Sequence, residues 1–393
     1  MDAIVADVSG IRFEIEDAID KQVGIQPLPF PGMDKMHRLR CLHRSYSSVV
    51  SHGGGGRSSD SGITITVFGG NGMVGRHLLT HLGREGAHAV VPHRCEGYFT
   101  MFMRPFADLG RFMFLEYFTI RSESSIRKSI KHSDVVVNCI GRDFETRNYK
   151  YEEINMSFPQ KLAKLCREEG VKRLIHISSF GADINSSSKF LRTKFRGELL
   201  MKEEFPSTII LRPTQIFGNK DTYFNHFATI YAPLGFVPYG KTKTPVFKAP
   251  LFAGDVAQAI INASKMPDVE GRIFELYGPR LYELPQLIDY ITRLVNRDLP
   301  TRPVPLVVLR LLAHFMNSIT VRYTPPLTPD RLALIYQNEE PTGKFPGMAD
   351  LNVPSPTVMS DVALRHLRVH RPWHNFFDAA DEVSPPKSTI LTV

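Results

Sequence analysis

The sequence predicts an α/β fold, a doubly wound parallel sheet with a smaller C-terminal lobe. Three observations carry this. A β-branched run, ITITVFGG (63–70), ends in glycine and passes straight into the helical spacing of Val74, Leu78, Leu79 and Leu82. Strand-like and helix-like stretches then alternate to about residue 218. The strand-like stretches are short apolar runs rather than polar–apolar alternations, as strands covered on both faces are. Strand, helix, strand, helix specifies a parallel sheet with helices on its faces.

The first strand leads into GGNGMVG, where Gly69, Gly72 and Gly75 form GxxGxxG. Gly69 allows the tight turn, Gly72 a close approach of a pyrophosphate, and Gly75 close packing of helix on strand. The helix N-terminus then faces the phosphates. A glycine motif flanked by strand and helix in this order points to a bound dinucleotide. Gly86 is the expected helix stop, and AHAVVPHRC (87–95) is the second strand. An NAD-binding chain usually places an acid at its end. Here Arg94 stands 19 residues after Gly75, a group that pairs with a 2′-phosphate by a charged fork. NADP(H) is therefore favoured over NAD(H), the plain alternative being an exposed arginine at a strand end. A polar helix near 122–132, a strand DVVVNCIG (134–141), a helix over 155–169 and a strand VKRLIHISS (171–179) follow. The next helix runs to about Glu204, and STIILRPTQIFG (207–218) is a strand and loop. Within that helix Phe190 and Lys194 are four apart, a spacing that carries tyrosine and lysine in many nucleotide-dependent reductases.

Composition is that of a globular protein, 42% hydrophobic and 22% charged over 393 residues. The net charge of +8 is thinly spread and no nucleic-acid signature accompanies it, so no nucleic-acid partner is expected. Cys41, Cys95, Cys139 and Cys166 lack zinc or CxxC spacing and suit a reducing compartment, with Cys139 and Cys166 as buried small hydrophobes. No apolar run reaches the roughly 18–20 residues that span a bilayer. The nearest, PVPLVVLRLLAHFMN (303–317), is broken by Arg310 and His314. It reads as a core helix, with a helix gripping a membrane surface or a partner as the alternative.

Residues 1–35 carry seven acids and three bases, whereas from Met36 to Asp60 there are four arginines, many serines and no acid before Asp60. That switch reads as a mitochondrial transit peptide beginning at Met36, against a disordered basic linker. The expected organisation is a leader over 1–61, a nucleotide-binding domain over 62–218 plus about 248–278, a smaller lobe over about 219–247 and 279–372, and a disordered tail over 373–393. The lobe is rich in proline, as short helices joined by loops are. VALRHLRVHRPWH (362–374) is a basic helix with Trp373, readable as an anchor on a partner or anionic lipid or as a solvated face. His366, His370 and His374 have i, i+4 spacing but no carboxylate or cysteine beside them, so no metal is expected.

GGNGMVG, Asn138 to Gly141, Ser178–Ser179, the lysine of a Tyr-x-x-x-Lys position and LRPTQIFG resemble the extended short-chain dehydrogenase/reductases. GRDFETRNY, IRKSIKHSDVVVN, INSSSKFLRTK and GPRLYELPQL resemble, within them, the accessory Rossmann-fold subunits of mitochondrial respiratory complex I, over about residues 62–372. The resemblance implies a peripheral subunit on the matrix side of the inner membrane, with other complex I subunits as partners. It implies a tightly held NADPH serving assembly or stability rather than electron transfer. It places Gly69, Asn71, Gly72, Met73, Val74 and Gly75 on the phosphates and Arg94 on the 2′-phosphate. Ile140 and Gly141 flank the ribose, Ser178 and Lys194 join them, and Pro213 and Ile216 border the nicotinamide. Two positions depart from the pattern: Phe190 replaces the tyrosine, and Phe118 stands where an acid would meet the adenine. Without the tyrosine no standard proton donor remains, Tyr149 and Tyr151 being weak substitutes, and such a loss costs about 10²–10⁴ in rate. A structural cofactor is the expected role. An NADPH-dependent reductase or nucleotide-sugar enzyme using Lys194, or a redox sensor, is the alternative.

Overall fold

The computed structural model describes residues 60–391 apart from 230, 232–234, 243, 296–298, 320–326, 372–382 and 384. The expected leader up to residue 59, the start at Met36, Cys41, Trp373 and His374 lie outside the described residues.

The chain enters the sheet at β1 (Thr64–Phe68), turns into helix α1 (Met73–Arg84) and returns as β2 (His88–Pro92). A 3₁₀ segment (Gly97–Phe106) leads to β3 (Phe112–Leu115). Then come α2 (Glu123–Ile130), β4 (Val135–Asn138), α3 (Phe158–Glu168), β5 (Arg173–Ile177), α4 (Lys189–Glu204) and β6 (Ile209–Pro213). These strands, with one added later, form a seven-stranded sheet, all of whose pairings are parallel. The order around β1 is β3-β2-β1-β4-β5-β6, the doubly wound order in which the chain reverses direction at β1/β4.

Strand alternation explains why the sequence is apolar without a break. Ile65, Val67, Val135, Val137, Ile175 and Ile177 share one core with Leu78, Leu79 and Leu82 of α1. Phe68, Val136 and Leu174, one residue out of phase, share another with Ile126 and Ile130 of α2 and Phe158 and Leu162 of α3. Both faces are thus covered and water is excluded from each.

The remaining elements are β7 (Ile216–Phe217), α5 (Phe224–Thr229), β8 (Val237–Lys241), β9 (Phe247–Lys248), β10 (Leu251–Phe252) and α6 (Ala253–Lys265). After them come β11 (Ile273–Leu276), β12 (Arg280–Glu283), α7 (Leu284–Leu294), β13 (Thr301–Pro305), α8 (Leu306–Ile319), α9 (Pro329–Ile335), α10 (Met359–Leu367) and β14 (Ser388–Ile390). α6 returns to the first core beside α1 through Val256, Ala257 and Ile260, and β11 adds the seventh strand next to β6. A separate core joins α5, α7, α9 and α10 through Phe224, Phe227, Leu287, Ile291, Ile335 and Met359.

Two expectations are corrected. The tail is not wholly disordered: Ser388–Ile390 pairs antiparallel with β12, Tyr282 opposite Ser388. The apolar run near 303–317 forms a helix that is only half core. Leu309 and Ala313 are buried, whereas Val307, Leu311 and Phe315 are about two-thirds exposed. Among the described residues no helix is long and apolar enough to cross a membrane.

One buried ion pair ties β9 to the segment after α9. Lys248 Nζ donates to Glu339 Oε1 and to the Leu334 carbonyl, each at 2.8 Å. Burial holds the lysine below its usual range even beside the carboxylate. Removing one partner strands the other charge in a dry site, so Glu339→Ala is expected to cost about 3–5 kcal/mol, read as a lowered midpoint in urea unfolding. A midpoint unchanged by the substitution would show that water reaches Lys248.

Candidate nucleotide-binding site

The site is built from the sheet's C-terminal edge. β1 ends at Gly69, whose φ of +81° places it in the left-handed region that glycine tolerates. Gly72 N donates to the Gly69 carbonyl at 2.8 Å, closing the turn, and α1 begins at Met73. Gly72 is its N-cap and no side chain caps the helix. The first-turn amides of Met73, Val74 and Gly75 therefore lack an internal partner and suit an anion. A Cβ on Gly75 would overlap the Gly69 carbonyl and come within 2.6 Å of Gly70 Cα. These are the tight turn and close packing that the glycine spacing predicts.

A cavity of about 550 Å³ opens at this edge. Of the sequence-predicted residues it brings together Gly72, Met73, Val74, Gly75, Ile140, Gly141, Ser178, Lys194, Pro213 and Ile216. Gly69, Asn71 and Arg94 are not in its wall. Gly69 lies behind the turn. Asn71 is held by Arg76, whose Nη2 donates to its Oδ1 at 2.5 Å. Arg94 is exposed, 5.2 Å over the Tyr149 ring, and makes no ion pair among the described residues. Arg142, in the cavity wall, lies near enough to Arg94 that the like charge, after burial, pulls its pKa down.

Lys194 is 3% exposed and its Nζ donates to the Ile177 carbonyl at 2.9 Å. Burial lowers its pKa to about 8, opposed chiefly by the charge of Glu198. Ser178 Oγ is buried without a hydrogen-bond partner, capacity that a polar ligand would use. Phe190 lines the same wall, its ring 6.0 Å from Lys194 Nζ. Tyr149 and Tyr151 do not line the cavity. Tyr149 sits between Arg94 and Arg121, and Tyr151 is buried with its ring edge-on to Phe190. Phe118 packs in the core at 5.3 Å from Phe68 rather than facing a ligand.

Sequence reasoning missed the far wall. Tyr223, His226, Gln337 and Glu339 line it, brought in by α5 with the residue before it and by the segment after α9. No motif marks them, and they lie far along the chain from the glycine turn. Tyr223 holds its proton firmly because burial, then the charge of Glu339, raises its pKa. His226 is kept neutral by burial, its pKa near 3. Cys139 is likewise a thiol, pushed up to about 12 by burial. The histidine spacing of 366 and 370 brings no ligands together: His366 stacks on Phe252 at 5.8 Å, and His370 shares a hydrogen bond with Asn225.

Fold and cavity together define a doubly wound parallel-sheet protein with a glycine turn of the dinucleotide-binding type. The model of the NAD dependent epimerase/dehydratase family matches residues 65–234. The triphenylmethane reductase of a Citrobacter species shares the fold, with a TM-score of 0.60 at 12% identity, over 78% of this chain and all of that one. At the sequence level the chain is 38% identical over 347 residues to mouse NADH dehydrogenase (ubiquinone) 1 alpha subcomplex subunit 9, mitochondrial, covering 88% of this chain and 91% of the mouse protein. It is 31% identical over 317 residues to the Neurospora crassa NADH-ubiquinone oxidoreductase 40 kDa subunit, covering 81% and 82%. The chain belongs to this family of mitochondrial subunit 9 proteins.

Proposed function

We propose that the chain is an accessory subunit of mitochondrial complex I in which NADPH is a structural cofactor supporting assembly and stability. The family carries the complex I role and the mitochondrial location; the matrix face of the inner membrane is the place this reading assigns. One observation carries the structural-cofactor part. The glycine turn, Ser178 and Lys194 converge on one cavity while the tyrosine position there is Phe190. Phe190 has no proton to give, and the cavity's own tyrosine, Tyr223, is pushed far from the pKa an acid needs.

The residues fit NADPH. First-turn amides of α1 would meet the pyrophosphate, Lys194 and Gly141 the nicotinamide ribose, and Pro213 and Ile216 the ring. Arg94 would receive the 2′-phosphate, since no carboxylate pairs with it among the described residues and it sits just after β2 ends. When bound, NADPH supplies hydride chemistry in general; here its contribution is binding energy. Ligand at a thousandfold its dissociation constant stabilises the folded state by about 4 kcal/mol, without any proton donor.

The test is a blue-native gel of mitochondria, blotted for this protein and stained for NADH dehydrogenase activity, with nucleotides extracted from the excised band. Comigration with the large active band, and NADP(H) in the extract, is the expected result. A small separate band would overturn the subunit reading. A second reading, a reductase using Lys194 for proton transfer, is favoured by the lowered pKa of that lysine. It requires NADPH oxidation with carbonyl compounds by protein outside the large complex.

A further inference from the structure

The cavity is not closed by the nucleotide-binding half alone. Helix α9 brings Arg331 into its wall, with Asp330 beside it against the start of α4. Thr328 caps that helix, its Oγ1 accepting from Arg331 N at 3.1 Å. Asp330 Oδ1 accepts three hydrogen bonds at the start of α4: from Ser188 Oγ at 2.8 Å, Lys189 N at 2.7 Å and Phe190 N at 3.3 Å. Ser188 is the N-cap of α4 but does not cap it with its own side chain. Its hydroxyl goes to Asp330 instead, so the free amides of the Lys194 helix are satisfied by a carboxylate from far along the chain. A negative charge at that helix end also suits the helix dipole.

Arg331 reaches the other wall. Its Nε and Nη2 donate to Asp143 Oδ2 at 2.9 and 2.8 Å. Asp143 and Phe144 belong to the loop after β4 that lines the cavity, and the Arg331 guanidinium lies 5.9 Å from the Phe144 ring. Lys189 completes the circuit from the α4 side, its Nζ 3.2 Å from Glu145 and 3.0 Å from Glu152. On its outer side α9 packs through Leu332 against Leu309 and Ala313 of α8. No residue of α8 lines the cavity, yet α8 is the helix that turns Val307, Leu311 and Phe315 to solvent.

We propose that α9 is a clasp that couples nucleotide binding to α8. Asp330 is a positioning residue for Lys194, five residues into α4, and Arg331 positions the Asp143–Phe144 loop. A nucleotide that orders both walls therefore tightens the clasp, and with it the seat of α8 and its exposed apolar face. Coupling is reciprocal: the factor by which nucleotide favours the closed clasp is the factor by which the closed clasp favours nucleotide. This inference rests on the NADPH reading above.

Hydrogen exchange of the full chain, with and without NADPH, tests it. In the wild type, peptides over 306–318 are expected to exchange more slowly once NADPH is bound. Asp330→Ala should bind NADPH about tenfold more weakly, the scale of a lost helix cap. At saturating NADPH it should still protect residues 69–79 while α8 loses its protection. Asp330→Asn, which keeps an acceptor but not the charge, should recover part of both, which a merely disrupted fold would not. Should Asp330→Ala fail to fold, Asp143→Asn makes the same measurement from the other arm. Wild-type protein that binds NADPH with no change in α8 exchange, or an Asp330 variant with unaltered α8 protection, overturns the coupling alone. Wild-type protein that does not bind NADPH overturns the cofactor reading and the coupling with it.

Discussion

Gly75→Ala is expected to weaken NADPH binding by about a hundredfold or more and to destabilise the protein. The added methyl would overlap the Gly69 carbonyl and press on Gly70 Cα at 2.6 Å. Both neighbours are backbone, so no side chain can swing away. Either α1 moves off the sheet or the turn opens, and in both cases the first-turn amides leave the cavity wall. Hydrogen bonds to a charged group contribute about 1.5–3 kcal/mol each, so misplacing one or two reaches the hundredfold range. The overpacking itself should cost about 1–3 kcal/mol. Nucleotide fluorescence titration reads the first effect and thermal unfolding the second. Gly72→Ala is the control for the packing effect, because its Cβ would stand 3.1 Å from the same carbonyl with no other protein neighbour within reach, and its cost in stability should be smaller. Unchanged affinity in Gly75→Ala would mean that the phosphates do not lie on this turn.

The glycine turn was legible because its reason is local. A strand, a left-handed residue and a helix start occupy a dozen consecutive positions, and each leaves a mark on composition. The buried strands were legible for a similar reason: a parallel strand with helices on both faces has no polar side to hide its pattern. β3 was not, since Phe112–Leu115 has no β-branched residue and follows an aromatic 3₁₀ segment. The strands of the smaller lobe are harder still. β9 has two residues and finds its partner in β12, and β12 is closed by β14 at the end of the described chain. Such pairings depend on contacts between distant segments, which no window of sequence contains.

The same distinction divides the cavity. Motif spacing finds the near wall, where Gly72 to Gly75, Ile140, Gly141 and Lys194 sit at the ends of successive strands and helices. It does not place Arg94, which stands outside the wall beside Tyr149, or the Asn71 side chain, which Arg76 occupies. It could not find Asp330. In sequence that residue is an acid in the first turn of a short helix after Thr328 and Pro329, and such acids are ordinarily explained by their own helix. Its partner, the start of α4, lies 141 residues away for Lys189.

Lys194→Met separates what the lysine does for the nucleotide from what it does for the fold, because the two effects should have opposite signs. Burial lowers the lysine's pKa from 10.5 to about 8. Between those values the unfolded chain binds more protons than the folded one, so this group makes the nucleotide-free protein more stable as pH rises from about 8 to 10.5. Below pH 8 the lysine is charged in both states and the penalty is constant, about 3 kcal/mol at most. Methionine removes that penalty but also the bond that the ammonium donates to the Ile177 carbonyl, about 1.5–3 kcal/mol. Nucleotide-free Lys194→Met should thus be no less stable at pH 7, gaining up to roughly 1.5 kcal/mol, and its stability should rise less steeply between pH 8 and 10.5. With NADPH the order should reverse. On the proposed reading the variant loses the cation that the nicotinamide ribose would meet, and its affinity should fall about tenfold to a hundredfold. Urea unfolding at several pH values, with and without NADPH, reads all of this in one series. A variant less stable without nucleotide would make Lys194 a structural tie to β5. The expected crossing of the two curves instead assigns the lysine's cost to the fold and its benefit to the nucleotide, which is why a chain without a catalytic tyrosine would still keep a charged group buried at that position.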